Sequence, residues 1–153
     1  MFRAGTFVGE HVSPIDEPQI QPNGVDITLD RISTIEGTGR IATDGKTIAD
    51  RQHLEPTEGW FELDPDGYVV RYAETIHIPD DHIGFILPRS SLLRNGATLH
   101  TAVWDTGYEG KGAGLLTVKA PLEIEDGARI GQFVLASAEH VGAYEGTYHG
   151  EGL

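Results

Sequence analysis

The chain has no cysteine. That excludes disulfides, thiolate-bound zinc and a thiol nucleophile. Positive charge is scarce: three lysines (Lys46, Lys111, Lys119) and eight arginines face 24 acidic residues, for a net charge of −13. Such a balance opposes binding to nucleic acid, which needs basic surface to neutralise phosphates, and to anionic lipid. A lysine-poor acidic surface suits a salt-rich cytosol, where screening within a few Å relieves self-repulsion, so a halophilic source is expected. No apolar run approaches the about 20 residues of a membrane span. The N-terminal MFRAGTFVGEHVSP lacks the apolar centre of a signal peptide. A cytoplasmic protein without a membrane partner is expected.

Glycine and proline are plentiful, 20 and 8 in 153 residues, and they punctuate short apolar segments as in an all-β domain. One domain over residues 1–153 is expected. Residues 68–72, 83–87, 98–104, 115–120 and 129–136 read as strands. In the third, Leu99, Thr101 and Val103 share one face and His100, Ala102 and Trp104 the other; His100 is expected to pack or bond within its sheet. Ser90–Asn95 reads as a short helix ended by Gly96. Asp66-Gly67 and Asp126-Gly127 are tight-turn dipeptides. Residues 33–59 are polar and read as loops and weak edge strands. The Gly-rich tail, residues 144–153, cannot be a core strand; it is either frayed or an ordering lid.

Several polar residues have two roles open to them. Asp26, in QPNGVDITL, is a turn carboxylate or a metal or ribose contact through water. Arg89, Ser90 and Ser91 combine a planar fork of donors with rotatable hydroxyls, as phosphate binding requires; a helix-capping serine beside a surface arginine is the plainer role. Asp105 closes the strand 98–104 and stands before Thr-Gly-Tyr, as a general base, a metal contact or a turn former. Tyr108 is a core ring or a platform for a sugar. Arg129 and Gln132 open a hydrophobic strand, where they satisfy a turn or an interface. Gly107, Gly110, Gly112 and Gly114 do not stand between strand and helix, so they form no dinucleotide fingerprint, and Gly45-Lys46-Thr47 lacks the upstream glycine of a P-loop.

Taken in order, QPNGVDITL, PRSSLLRNG, LHTAVWDTGYEG, GARIGQFVL and AYEGTYHGEGL resemble the dUTPase and dCTP deaminase superfamily. The resemblance spans residues ~20–153, and the LLR, His-Thr-Ala and YxGxY details are similar to its deaminase-type branch. It implies a distorted β-barrel or jelly roll with few short helices, assembled as a homotrimer with sites at subunit interfaces. It implies dUTP as the ligand, with Mg²⁺ on the triphosphate, a metal that keeps its waters and bridges phosphates. By position, Asp105 would activate the attacking water. Tyr108 would pack under the deoxyribose. Arg89, Ser90, Ser91 and Gln132 would bind phosphates, with Arg94 and Arg129 as further phosphate or interface groups. Asp26 would order waters around the metal. The tail 144–153 would close over the nucleotide, using Tyr144 and Tyr148 where the classical dUTPase tail has an arginine.

The same resemblance separates two activities. Deaminases carry a Glu on the strand after the Asp-Gly-aromatic-x-Gly segment, where it moves protons on the pyrimidine ring. Here that segment, residues 112–120, holds no Asp or Glu, and Lys119 or Thr117 is a poor substitute. Hydrolysis of dUTP to dUMP and pyrophosphate is therefore expected. A deaminase or bifunctional enzyme, and a non-catalytic nucleotide-binding regulator, are the alternatives.

Overall fold

A computed structural model describes the whole chain, Met1–Leu153. Its elements are α1 (Gly5–Gly9), β1 (Val12–Ser13), a 3-10 turn (Glu17–Gln19), β2 (Ile20–Gln21), β3 (Gly24–Glu36), β4 (Arg40–Ala42), β5 (Gly45–Thr47), β6 (Asp50–His53), β7 (Trp60–Leu63), β8 (Gly67–Tyr72), β9 (Thr75–His77), β10 (His82–Pro88), α2 (Ser90–Arg94), β11 (Ala97–His100), β12 (Glu109–Gly110), β13 (Ala113–Val118), β14 (Leu122–Glu125) and β15 (Arg129–Ser137). The chain is all-β with two short helices, as expected.

Period-two burial builds the main sheet. In β8, Tyr68, Val70 and Tyr72 are buried while Gly67, Val69 and Arg71 face outward; β13 buries Gly114, Leu116 and Val118 in the same way. The main strand order is β10-β15-β3-β8-β13-β11, every pair antiparallel. The sheet curls until its two ends meet. Gly84 on β10 and Trp104, just beyond β11, exchange both backbone hydrogen bonds, at 2.9 and 3.1 Å. This bridge closes the barrel. It needs glycine, because a Cβ at position 84 would lie 2.7 Å from the Phe133 ring and 2.9 Å from Ile78. Inside, Tyr72, Ile86, Leu116, Phe133 and Leu135 are fully buried. Buried Glu74 keeps its carboxylate satisfied through Gln19 Nε2 and the Thr28 amide and hydroxyl.

The structure corrects three expectations. The strand read over 98–104 keeps its ladder only to His100. The Thr101 hydroxyl accepts from Trp104 Nε1 at 3.2 Å, Ala102 and Val103 turn to solvent, and Trp104 crosses to Gly84. His100 is exposed, not packed. Residues 33–36, read with the loops and weak edge strands, belong instead to the central strand β3, which runs on for 13 residues with its polar half held by β6 through pairs such as Ser33–His53. A bulge between Leu29 and Arg31 lets the strand turn from one part of the sheet to the next.

Under α1, His11 lies against Phe7 and is 6.0 Å from His77. Desolvation, then the neighbouring His77, holds its pKa below the ordinary 6.5; Glu10 pulls the other way and His82 adds to the lowering. A histidine kept neutral by folding contributes stability that is complete above its unfolded pKa and is lost as pH falls. Wild-type melting temperature should therefore drop on acidification below about pH 6.5 more steeply than that of His11→Phe. Parallel curves for the two proteins would refute this.

Candidate active site

The barrel-closing bridge places Asp105. The residue follows Trp104 directly, and its side chain is exposed while both neighbours are buried. The turn is clamped from several sides. Thr106 Oγ1 donates to His82 O at 2.7 Å, Gly107 N to Ile78 O at 2.9 Å, and Ile78 N to Tyr108 O at 2.9 Å. Gly107 adopts φ +81°, a left-handed conformation that favours glycine, and a Cβ there would touch Ala143 at 2.9 Å.

Tyr108 packs its ring edge-on to Trp104, with centroids 5.0 Å apart, and lies 5.4 Å from Tyr144. Burial first, then the Glu151 carboxylate and Tyr144, push its hydroxyl pKa well up, so it stays a neutral donor. A recess of about 200 Å³ opens beside it, lined by Trp104, Asp105, Tyr108, Tyr144, Arg51 and Glu151 among others. An exposed carboxylate at the rim of an aromatic recess can accept a proton from a water that attacks a ligand held on the rings.

The tail lies over this turn. Tyr144 N donates to Thr106 O at 2.7 Å, Gly150 N to Glu109 O at 2.7 Å, and Lys111 N to Glu151 O at 2.8 Å. Tyr148 sits under the Lys46 ammonium, 4.9 Å from the ring centroid. The tail is therefore held against the turn by backbone hydrogen bonds, not frayed.

A second cluster forms at the other end of β10. Asp26, on β3, is 3% exposed, and its Oδ2 accepts from Arg89 Nε and Arg129 Nη1, both at 3.2 Å. Burial pushes the Asp26 carboxyl pKa up, and the two guanidiniums pull it back. Gln132 stands opposite Asp26 across the β15–β3 ladder and opposite Leu87 across β10. Ser90 and Ser91 are exposed on the single turn of α2, with Arg94 Nη1 donating to Ser90 O at 3.2 Å. Seven of the residues singled out in the sequence thus gather here: Asp26, Arg89, Ser90, Ser91, Arg94, Arg129 and Gln132. Asp105, Tyr108, Tyr144 and Tyr148 gather at the recess.

One copy of the chain keeps the two groups apart. Asp105 is anchored beside Gly84, and Arg89 lies five residues farther along an extended strand, so their backbones are roughly 17 Å apart. Arg51, Glu151 and Trp104 also belong to the recess but were not among the expected site residues. Arg51 lies in the polar stretch read as loops and weak edge strands, and only the β3–β6 pairing brings it across. No group of three or more His, Asp or Glu side chains gathers to hold a metal. No helix is long and apolar enough to cross a membrane.

Comparisons with known proteins agree with this architecture. A family model described as dCTP deaminase-like matches residues 6–138. A probable deoxyuridine 5'-triphosphate nucleotidohydrolase of Halobacterium salinarum is 48% identical over 99% of this chain and 95% of its own. A deoxyuridine 5'-triphosphate nucleotidohydrolase of Methanocaldococcus jannaschii is 40% identical over 89% of this chain and 90% of its own. Among solved structures, the 2'-deoxycytidine 5'-triphosphate deaminase of Agrobacterium tumefaciens shares the fold with a TM-score of 0.66 at 17% identity. That likeness covers 88% of this chain, which spans about half (48%) of the deaminase chain. With its closed barrel, its motifs in order and these relatives, the chain belongs to the dCTP deaminase-like family.

Proposed function

We propose that the protein hydrolyses dUTP to dUMP and pyrophosphate, at sites that neighbouring copies of the chain complete. The observation that carries this is the exposed Asp105 carboxylate on the rim of the Trp104–Tyr108 recess, beside a strand β13 that offers no acid for ring chemistry. The names of the relatives from Halobacterium salinarum and Methanocaldococcus jannaschii point to the same reaction.

Asp105 accepts a proton from water. The water oxygen forms a bond to the α-phosphorus, and the bond from that phosphorus to the α,β-bridging oxygen breaks. Pyrophosphate leaves with the electron pair of that bond. Positioning and charge neutralisation dominate such a transfer. Tyr108 holds the deoxyribose against its ring and leaves no room for a 2'-hydroxyl. Arg89, Ser90, Ser91, Arg94 and Gln132 supply donors to the phosphates. Mg²⁺ would come with the triphosphate and supply charge neutralisation on its oxygens, as that ion does with nucleotide phosphates. Asp26 fixes Arg89 and Arg129 through Oδ2 and would be the residue that orders the waters of a metal on the triphosphate. The tail 144–153, with Tyr144 and Tyr148, covers the bound nucleotide.

The distance between the two clusters supports a shared site. A donor group at one end of β10 and a base at the other do not serve one triphosphate from a single copy. A homotrimer with sites between neighbours resolves this. Light scattering during turnover tests it; a fully active monomer would sink the idea.

The decisive assay incubates the protein with Mg²⁺ and either dUTP or dCTP, following pyrophosphate and ammonia. Pyrophosphate from dUTP alone is expected. Ammonia from dCTP would show that an acid outside β13 does ring chemistry. In the same assay, Tyr108→Ala should narrow the preference for dUTP over UTP by about 10-fold or more, the scale of losing one close packing contact. An unchanged ratio would remove Tyr108 from the sugar site.

A further inference from the structure

A recess of about 250 Å³ adjoins the aromatic one and shares Arg51, Ala113 and Glu151 with it. Its floor is the outward face of β3, β6 and β8. Arg31 and Ser33 come from β3, Arg51 and His53 from β6, and Arg71 from β8. Arg31 and Arg71 stand directly opposite each other in the ladder, an arrangement of like charges that costs stability.

The hydrogen bonds show which charges are spent. Arg71 is held by Asp30, through Nε and Nη2 on one carboxylate oxygen at 2.6 Å. Arg31 Nη1 lies 3.1 Å from His53 Nε2 and His53 Nδ1 lies 2.7 Å from Ser33 Oγ. A guanidinium only donates, so His53 Nε2 is the acceptor in that contact. Arg31 and Arg51 have no carboxylate within 4 Å, and neither is paired to Glu151. Three guanidiniums against Asp30 and Glu151 leave one net positive charge here, in a molecule of net charge −13.

We propose that this recess is a second oxyanion site, distinct from the Asp26–Arg89–Arg129 cluster, and that it takes a phosphate-class anion. Two arginine forks without carboxylates match a tetrahedral oxyanion. Its lining is mostly charged and polar, with only Val69 and Ala113 apolar, so it suits a phosphate group and offers no apolar or aromatic wall to a base. The anion is either free pyrophosphate or the phosphate of a nucleotide whose base lies in the adjoining aromatic recess.

Calorimetric titration of the full-length protein with inorganic pyrophosphate, and separately with dUMP, tests this without relying on turnover. Wild type should bind pyrophosphate at two kinds of site. Arg31→Gln/Arg51→Gln should lose one of them, and Arg89→Gln the other, each by about tenfold or more. Arg51 is exposed and without a hydrogen-bond partner, so Arg51→Gln alone keeps the test open if the double variant does not fold; it should weaken the same site. Weaker dUMP binding in these variants assigns the site to a nucleotide's phosphate, and unchanged dUMP binding assigns it to the free anion. Two unchanged pyrophosphate sites in the Arg51 variants, or only one kind of site in wild type, overturns the proposal.

Discussion

Asp105→Asn lowers kcat for dUTP hydrolysis by roughly 10²–10⁴-fold, the span a positioned general base supplies. The amide keeps the size of the side chain and loses the proton acceptor. Because the carboxylate is exposed and the turn is held by backbone bonds and by Thr106, the change should move stability by no more than about 0.5 kcal/mol. Nucleotide affinity should survive, since the rings of Trp104, Tyr108 and Tyr144 are untouched. Steady-state kinetics and a calorimetric titration with a non-hydrolysable dUTP analogue separate the two effects. Full activity in the variant would remove Asp105 as the base; lost affinity with unchanged kcat would make it a binding group. The variant also addresses the reading of the chain as a regulator, which predicts no hydrolysis in wild type to lose.

Trp104→Ala should be the most damaging change to fold and site together. The indole is 7% exposed, edge-on to Tyr108, near Phe133 and Tyr72, and bonded through Nε1 to Thr101. Emptying such a position costs about 3–5 kcal/mol. Its backbone is also one half of the bridge that closes the barrel, and Asp105 is the next residue, so kcat should fall even where the protein remains folded. Urea unfolding, with activity measured in the absence of denaturant, reads both. Trp104→Phe should recover part of the stability, because an aromatic ring still fills much of the position while the indole's pyrrole part and its Nε1 bond are lost. Equal damage from Phe and Ala would show that the Thr101 bond, not the ring, is the important contact.

Most of the barrel was legible because short strands with one face buried declare themselves by alternation, as in β8 and β13. The polar half of β3 gave no such signal. Its strand character comes from β6 alongside and from buried Ile32 and Ser33, information that is not local. The strand over 98–104 was read too long for the opposite reason. Its alternation continues past His100, but the Thr101 hydroxyl and the reach of Trp104 to Gly84 end the ladder. At the site, residue types and order identified both clusters. Their separation was hidden, because Arg89 and Asp105 are close in sequence and distant along β10. Arg51 was hidden too, since an arginine in a polar stretch has no pattern until a partner strand places it.

The Gly84–Trp104 bridge also bears on self-association. An open sheet ends in a strand with unpaired backbone groups, and those recruit further strands from other molecules. On the outer edge of β10, the Gly84 amide is taken by Trp104 O, and the Ile86 amide approaches Thr101 Oγ1 at 3.5 Å. The edge that would template aggregation is therefore occupied by the chain's own next segment. A substitution that loosens position 104 does more than weaken a core: it exposes a strand rim beside Leu87, already half exposed, and sheet-to-sheet aggregation becomes the failure to watch for during its expression and refolding.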